Sequence, residues 1–401
     1  MKNLKLNFIK YNWFMLGFFI LFFAVQWING RFWLNDFKVY YLAMQNFLNG
    51  EPIYGIPFGL DSGFYKYSPF ALLPFSVFYF VPFNIAASIY YFLIAIAIII
   101  LINKVYQLFV RIFNIKEEKK NLILYLTTIV LINHFYRELH LGNVNVLLLL
   151  LYVISMEFIT KDRQWIAGLL MGIGILFKLH FIILLPVLLI FKKFKASASL
   201  VITFLLGLFI PSCFLGFEQN FSILADWLEI MKVHNQNISS SADTIYGITN
   251  LLLSIVGFQQ RGIWFSLVIL GIIGALFLWF VIINKGDLSV NFKLKKFIIV
   301  YFMVIGCIPL ITVTDSEHFL FSLPLVMFCM FLLFSKDYIS NVYKVLILTS
   351  FVFYGGNWHD LWGHTISAFF TQYGFLGIGN IMLIILTAML WIKDNCKFKS
   401  S

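Results

Sequence analysis

Runs of apolar residues, each near the length of a membrane-crossing helix and parted by short polar segments, recur along this chain from residue 11 to residue 392. A helix needs about 20 mostly apolar residues to cross the hydrocarbon core, fewer where it is tilted or re-entrant. The runs predict an all-α polytopic membrane protein with about twelve transmembrane helices: 11–30, 84–103, 121–134, 144–160, 165–177, 179–191, 197–216, 263–283, 297–311, 319–334, 343–355 and 375–392. The third, fifth, sixth and eleventh are short. Composition agrees, since 61% of residues are hydrophobic and only 12% charged, whereas soluble domains carry about a quarter charged residues.

Lys and Arg are retained on the cytoplasmic side of short loops. With the Lys-rich start (Lys2, Lys5, Lys10) inside, every basic residue except Arg31, Lys38, Lys66, Arg137, Lys178, Lys232 and Arg261 falls on an inner segment. Both termini are then cytoplasmic. All seven histidines lie at or near the outer face, which is where the chemistry is expected. The net charge of +11 sits in short inner loops and reads as an orientation signal and as contacts to anionic lipid; with no basic patch interleaved with aromatics, it points to no nucleic-acid partner. Cys213, Cys307, Cys329 and Cys396 lie in or near spans or in the inner tail and imply no disulfide framework. The first span is too long, and too poor in small residues at its end, for a removable signal peptide, so it is expected to remain as an anchor. The excess of Lys over Arg and the 48 Phe residues fit an A+T-rich bacterial genome, hence a bacterial inner membrane with the active site on the periplasmic face.

No composition shift marks a second domain, and residues 1–401 read as one integral-membrane domain. The longest non-spanning stretches, 31–83 and 217–262, both fall outside. The first is aromatic and apolar enough to lie in the interface as amphipathic helices, with Asn35 or Asp36 as N-cap and Gly50 as stop. The second, with Asp226-Trp227-Leu228-Glu229 and the polar run from His234 to Asp243, is a candidate lid.

Within the outer segments, a few residues have a chemistry worth following. Asp36 stands at headgroup level just past the first span, where a carboxylate can take a proton from a hydroxyl; the plainer role is a helix cap. Lys178, between two apolar arms, is a costly charge that needs a partner, and a donor phosphate is such a partner. Arg137 is a second candidate phosphate ligand, because guanidinium forks match phosphate oxygens; the plainer reading of both cations is snorkelling to headgroups, or for Arg137 a pair with Glu138. Asp315-Ser316-Glu317-His318 gathers two carboxylates and an imidazole, fit to bind sugar hydroxyls, to contact phosphate through His318, or simply to start a helix. The His-Xaa-Xaa-Xaa-His spacing of a metal site is absent there, and no metal or cofactor is expected.

Taken in order, several pieces resemble glycosyltransferase family 87, membrane enzymes of the C-type superfamily that take sugar, often mannose, from a polyprenyl-phosphate carrier. They are Asp36 with Tyr40, Ala43 and Gly50-Glu51-Pro52-Ile53-Tyr54, then Tyr67-Ser68-Pro69, Gly142-Asn143-Val144-Asn145, Lys178 with Pro186, Asn235-Gln236-Asn237, and Glu317-His318 with Pro324. The likeness runs from about residue 31 to 324. The chain departs from the family's usual Gly-Gln-Xaa-Asn at Asn143 and from its Asn-Gln-Ser at Asn237.

The resemblance implies the C-type glycosyltransferase fold, with an outer amphipathic layer over the active site, and Asp36 as catalytic base. Lys178, His318 and Arg137 would hold the donor phosphate, and Tyr40, Tyr67, Asn143, Asn145, Asn235 and Glu317 would bind substrate. The implied reaction is an inverting, metal-independent hexosyl transfer to a glycan or glycolipid acceptor, with membrane lipids as the other partners. The alternatives are a transporter or flippase of lipid-linked glycans, which would show repeats and broken helices meeting at the midplane, and a polymerase of such glycans, which would carry an Arg-rich outer loop.

Overall fold

The computed structural model describes residues 2–59, 63–113, 119–236, 241–258, 262–282, 290–312, 315–334 and 339–397. Its elements are helices, in chain order α1 (Lys2–Ile28), α2 (Asn35–Leu48), α3 (Phe83–Phe113), α4 (Lys120–Val130), α5 (Ile132–Leu141), α6 (Asn145–Thr160), α7 (Gln164–Phe177), α8 (Leu184–Ile190), α9 (Phe194–Phe209), α10 (Ser212–Leu215), α11 (Phe217–Gln236), α12 (Ile245–Ile255), α13 (Gly262–Ile282), α14 (Val290–Ile311), α15 (Leu323–Phe334), α16 (Asn341–Gly355), α17 (His359–Gln372) and α18 (Phe375–Lys397), with 3-10 helices at Pro69–Phe78, Leu179–Ile183 and Ser316–Ser322. Among the described residues the β-structure is one isolated bridge, Pro57 to Phe64.

Six helical stretches are long and apolar enough to cross a membrane: Lys10–Ile28, Phe83–Phe113, Phe194–Leu215, Phe292–Ile311, Ser316–Phe334 and Phe375–Ile392. A seventh crossing would be the bent pair α5 and α6, which meet at 116°. The remaining stretches expected to span fall on shorter apolar helices, among them 120–130, 164–177, 179–190, 264–275 and 341–355. The difference has local causes. The chain breaks at Gly142-Asn143 between α5 and α6, and again at Lys178, whose backbone is extended (φ −135°, ψ 100°). Many large apolar side chains point outward, including Trp13, Ile28, Phe80, Ile129, Trp165, Leu206 and Trp264, as suits a surface solvated by hydrocarbon rather than water.

The chain divides into two compact units, residues 1–105 with 135–234, and residues 106–134 with 235–401. In the first, α7 packs closely on α9 through glycine. A Cβ at Gly168 would collide with the Ala196 carbonyl, and one at Gly172 would lie 2.7 Å from Thr203 Cβ, the small-residue contact by which helices approach in a membrane. The amphipathic α2 buries Phe37, Tyr40, Tyr41, Met44 and Phe47. It ends as expected at Gly50 (φ +70°), where the Gly50 N–H meets the Phe47 carbonyl at 3.3 Å and the Glu51 N–H meets that of Asn46 at 2.8 Å, a Schellman closure. Its start corrects the expected cap. Leu34, in the left-handed region (φ 38°), precedes the helix with no side-chain cap bond, because the Asp36 carboxylate is engaged elsewhere.

In the second unit, a buried carboxamide joins four elements. Asn380 of α18 accepts from Ser322 Oγ at 2.6 Å and from the Tyr354 hydroxyl of α16 at 2.5 Å, and it donates to the Gly306 carbonyl of α14 at 2.7 Å. Residues 217–236, expected in the candidate lid, form the helix α11, and its Trp227 is buried with its indole N–H on the Lys66 carbonyl at 3.1 Å.

Candidate active site

The break between α5 and α6 organises the first unit's polar groups. Helix α5 ends at Leu141, and Gly142 turns the chain at φ +70°. A Cβ there would lie 2.9 Å from Phe37 Cβ and 3.1 Å from Leu34 Cδ2, so the missing side chain lets the turn press against the start of α2. That approach brings Asp36 to Asn143, whose Nδ2 donates to Asp36 Oδ2 at 2.6 Å. The Val144 N–H donates to Asn143 Oδ1 at 2.7 Å and holds the amide in that sense. Asp36 itself is half-buried.

Two residues on, Asn145 holds a cation. Lys178 Nζ donates to Asn145 Oδ1 at 2.7 Å, and the ammonium stands 5.8 Å from the centre of the Tyr67 ring, within cation–π range. Lys178 is only 6% exposed. The other end of Asn145 donates to Glu138 Oε2 at 3.0 Å, while Glu138 Oε1 accepts the Val146 N–H at 2.7 Å. Glu138 is fully buried and serves the first turn of α6, where the helix dipole favours an anion.

Aromatic residues flank these groups. Tyr40 and Tyr67 meet hydroxyl to hydroxyl at 3.3 Å, and burial, then Tyr67, then Asp36 push the Tyr40 phenol well above its ordinary value. Tyr67 is half-buried. Its segment is fixed by backbone carbonyls: Tyr54 OH on Tyr67 O at 2.6 Å, Tyr65 OH on Ser68 O at 2.8 Å, and Ser68 Oγ on Leu176 O at 2.6 Å, two residues before Lys178.

The structure thus gathers Asp36, Tyr40, Tyr67, Asn143, Asn145 and Lys178 in the first unit. Arg137 is half-buried one residue before Glu138, whose carboxylate is directed to the start of α6. Glu317 and His318 belong to the second unit. Glu317 is buried, and His318 Nδ1 accepts the Asp315 N–H at 3.0 Å, which gives the imidazole part in the helix start. Donor atoms of Asp315, Glu317 and His318 lie within 4.8 Å of one another, a nitrogen and oxygen set of a kind that a divalent cation accepts, although the sequence lacks the paired-histidine spacing. The side chain of Asn235 lies outside the described residues. Glu138 is the residue that sequence reasoning passed over; the available signal was a carboxylate one turn before the glycine that ends its helix.

Comparison with curated proteins and with solved structures gives no match. The model of glycosyltransferase family 87 matches residues 64–307, a stretch that takes in Tyr67, Arg137, Glu138, Asn143, Asn145 and Lys178 and leaves Asp36, Tyr40, Glu317 and His318 outside it. With well over half of its 401 residues matched, the chain belongs to glycosyltransferase family 87 and is a membrane glycosyltransferase.

Proposed function

We propose that the protein transfers a hexose, with mannose the expected sugar, from a polyprenyl-phosphate carrier to a glycan or glycolipid hydroxyl at the outer face of a bacterial inner membrane. The observation that carries this reading is the pairing of a carboxylate and a buried ammonium on one turn: Asn143 holds Asp36 and Asn145 holds Lys178. A base and a phosphate-binding cation so fixed are the two groups that a single displacement at an anomeric carbon requires.

In this scheme Asp36 accepts the proton of the acceptor hydroxyl. The oxygen attacks the anomeric carbon from the face opposite the phosphate, the bond to the phosphate oxygen breaks with its electron pair, and the configuration inverts. Lys178 carries the charge that appears on the departing polyprenyl phosphate. An ammonium in a low-dielectric site supplies that stabilisation without a divalent cation, and the Tyr40 phenol, held neutral, is suited to donate to a sugar oxygen.

The test is Asp36→Asn, which keeps the side chain's shape and can still accept from Asn143. Donor binding, followed by protection against thermal unfolding with a panel of polyprenyl-phosphate sugars, is expected to persist. Transfer is expected to fall by about 10² to 10⁴, the scale of a positioned general base. Turnover near wild type would remove Asp36 from the role.

A further inference from the structure

Glu138 has no part in the displacement, yet it is a fully buried carboxylate placed directly behind the Lys178 site. A carboxylate only accepts hydrogen bonds and an ammonium only donates them. The carboxamide between them therefore has one admissible sense, with its NH₂ toward Glu138 and its oxygen toward Lys178, as observed at 3.0 and 2.7 Å. Reversing the amide would set an NH₂ against the ammonium. The rest of Glu138 is fixed by the backbone, since Oε1 takes the Val146 N–H, so the carboxylate cannot turn without uncovering the first turn of α6.

We infer that Glu138 is a positioning residue: through Asn145 it locks the acceptor oxygen that aims the Lys178 ammonium, and it sets a negative charge behind that buried cation. The inference rests on the reading of Lys178 as the group that holds the donor phosphate. It assigns to the site a relay, carboxylate to amide to ammonium, whose direction is set by chemistry and can be reversed on purpose.

Glu138→Gln retains an acceptor for the Val146 N–H but presents an NH₂ to Asn145, so the amide loses its reason to face Lys178 with oxygen. Adding Asn145→Asp reverses the bond between positions 138 and 145 and again matches every donor with an acceptor, because the amide introduced at position 138 then donates to the new carboxylate and Lys178 donates to it from the other side. Two measurements are made on the full-length protein in detergent. Thermal unfolding without ligand reads the relay itself: each single change is expected to lower the melting temperature, and the double variant is expected to recover most of the loss. Binding of polyprenyl-phosphate mannose, and of dodecyl phosphate as a sugar-free lipid phosphate, reads the consequence. Glu138→Gln is expected to weaken both by roughly ten- to a hundredfold, the worth of a charge-assisted hydrogen bond, with the double variant returning toward wild type. A general loss of the α6 cap would not be rescued at position 145. Absence of coupling in the melting temperatures, or wild-type phosphate affinity in Glu138→Gln, overturns the inference. Coupled melting temperatures among the variants, together with wild-type protein that binds neither lipid phosphate, would instead overturn the donor reading of Lys178 and leave the relay a part of the fold alone.

Discussion

At residue scale the turn Gly142-Asn143-Val144-Asn145 does most of the arranging, and its dependence on single side chains is measurable. Lys178→Met keeps a long apolar stem where a buried ammonium stood. It is expected to weaken binding of a polyprenyl-phosphate donor at least tenfold and to lower the melting temperature as well, because Asn145 and the buried Glu138 behind it lose the cation they face. Unchanged donor affinity would mean that the cation serves only the fold. Gly142→Ala adds a Cβ 2.9 Å from that of Phe37 at a positive φ, so both sterics and backbone oppose it. A loss of roughly 1–3 kcal/mol in stability is expected, with a matching fall in transfer as Asp36 moves off Asn143, and a wild-type melting temperature would show that the turn yields freely. Asp36 and Lys178 drew notice in the sequence because charges are rare enough in such a chain for each to demand a reason, whereas Asn143 and Asn145 came to notice only through the resemblance to glycosyltransferase family 87. Glu138 drew none, since adjacency to Arg137 suggested a surface pair and nothing in one sequence tells which way a carboxylate turns.

At the scale of elements the sequence located helices better than it located crossings. Among the described residues each apolar run falls largely on helix, but an apolar run does not announce where its helix is interrupted, and the breaks at Asn143 and Lys178 depend on contacts far along the chain. The start of α2 was misread for a related reason: Asp36 is a good cap by type, yet its partner is the amide of Asn143 more than a hundred residues away. A different carboxylate does serve a helix start in the second unit. Asp243 Oδ1 accepts the Gly377 N–H at 3.2 Å in the first turn of α18. Burial nevertheless outweighs that bond and lifts its carboxyl to about 6. Because the folded value lies above the unfolded one, the stability linked to this proton is present in full below about pH 4 and is lost as pH rises through 6. Asp243→Asn does not titrate, so between pH 4 and pH 7 the variant is expected to gain about 2–3 kcal/mol relative to wild type, seen as diverging melting temperatures. Parallel curves would show that the carboxylate is solvated.

For the whole molecule, the first matter is which side faces the cytoplasm. Single cysteines at Glu51 and Lys161, both exposed, placed in a cysteine-free variant, are expected to behave oppositely toward an impermeant thiol reagent on intact cells, with position 51 labelled and position 161 protected. The reverse pattern would turn the protein over and bring Asp36 to the cytoplasm. The second matter arises from the helices on either side of Lys178. Helix α7 has 14 residues, which at 1.5 Å each gives about 21 Å, against a hydrocarbon core of about 30 Å. Thinning of the adjacent lipid is one way to meet so short an element, and it makes a distinct prediction. A headgroup so placed would sit deeper than its neighbours and make the enzyme a gauge of its surroundings: in vesicles of monounsaturated phosphatidylcholines, turnover is expected to decline as acyl chains lengthen from 14 to 22 carbons, while a rate indifferent to chain length would mean that protein, not lipid, fills the space beyond α7.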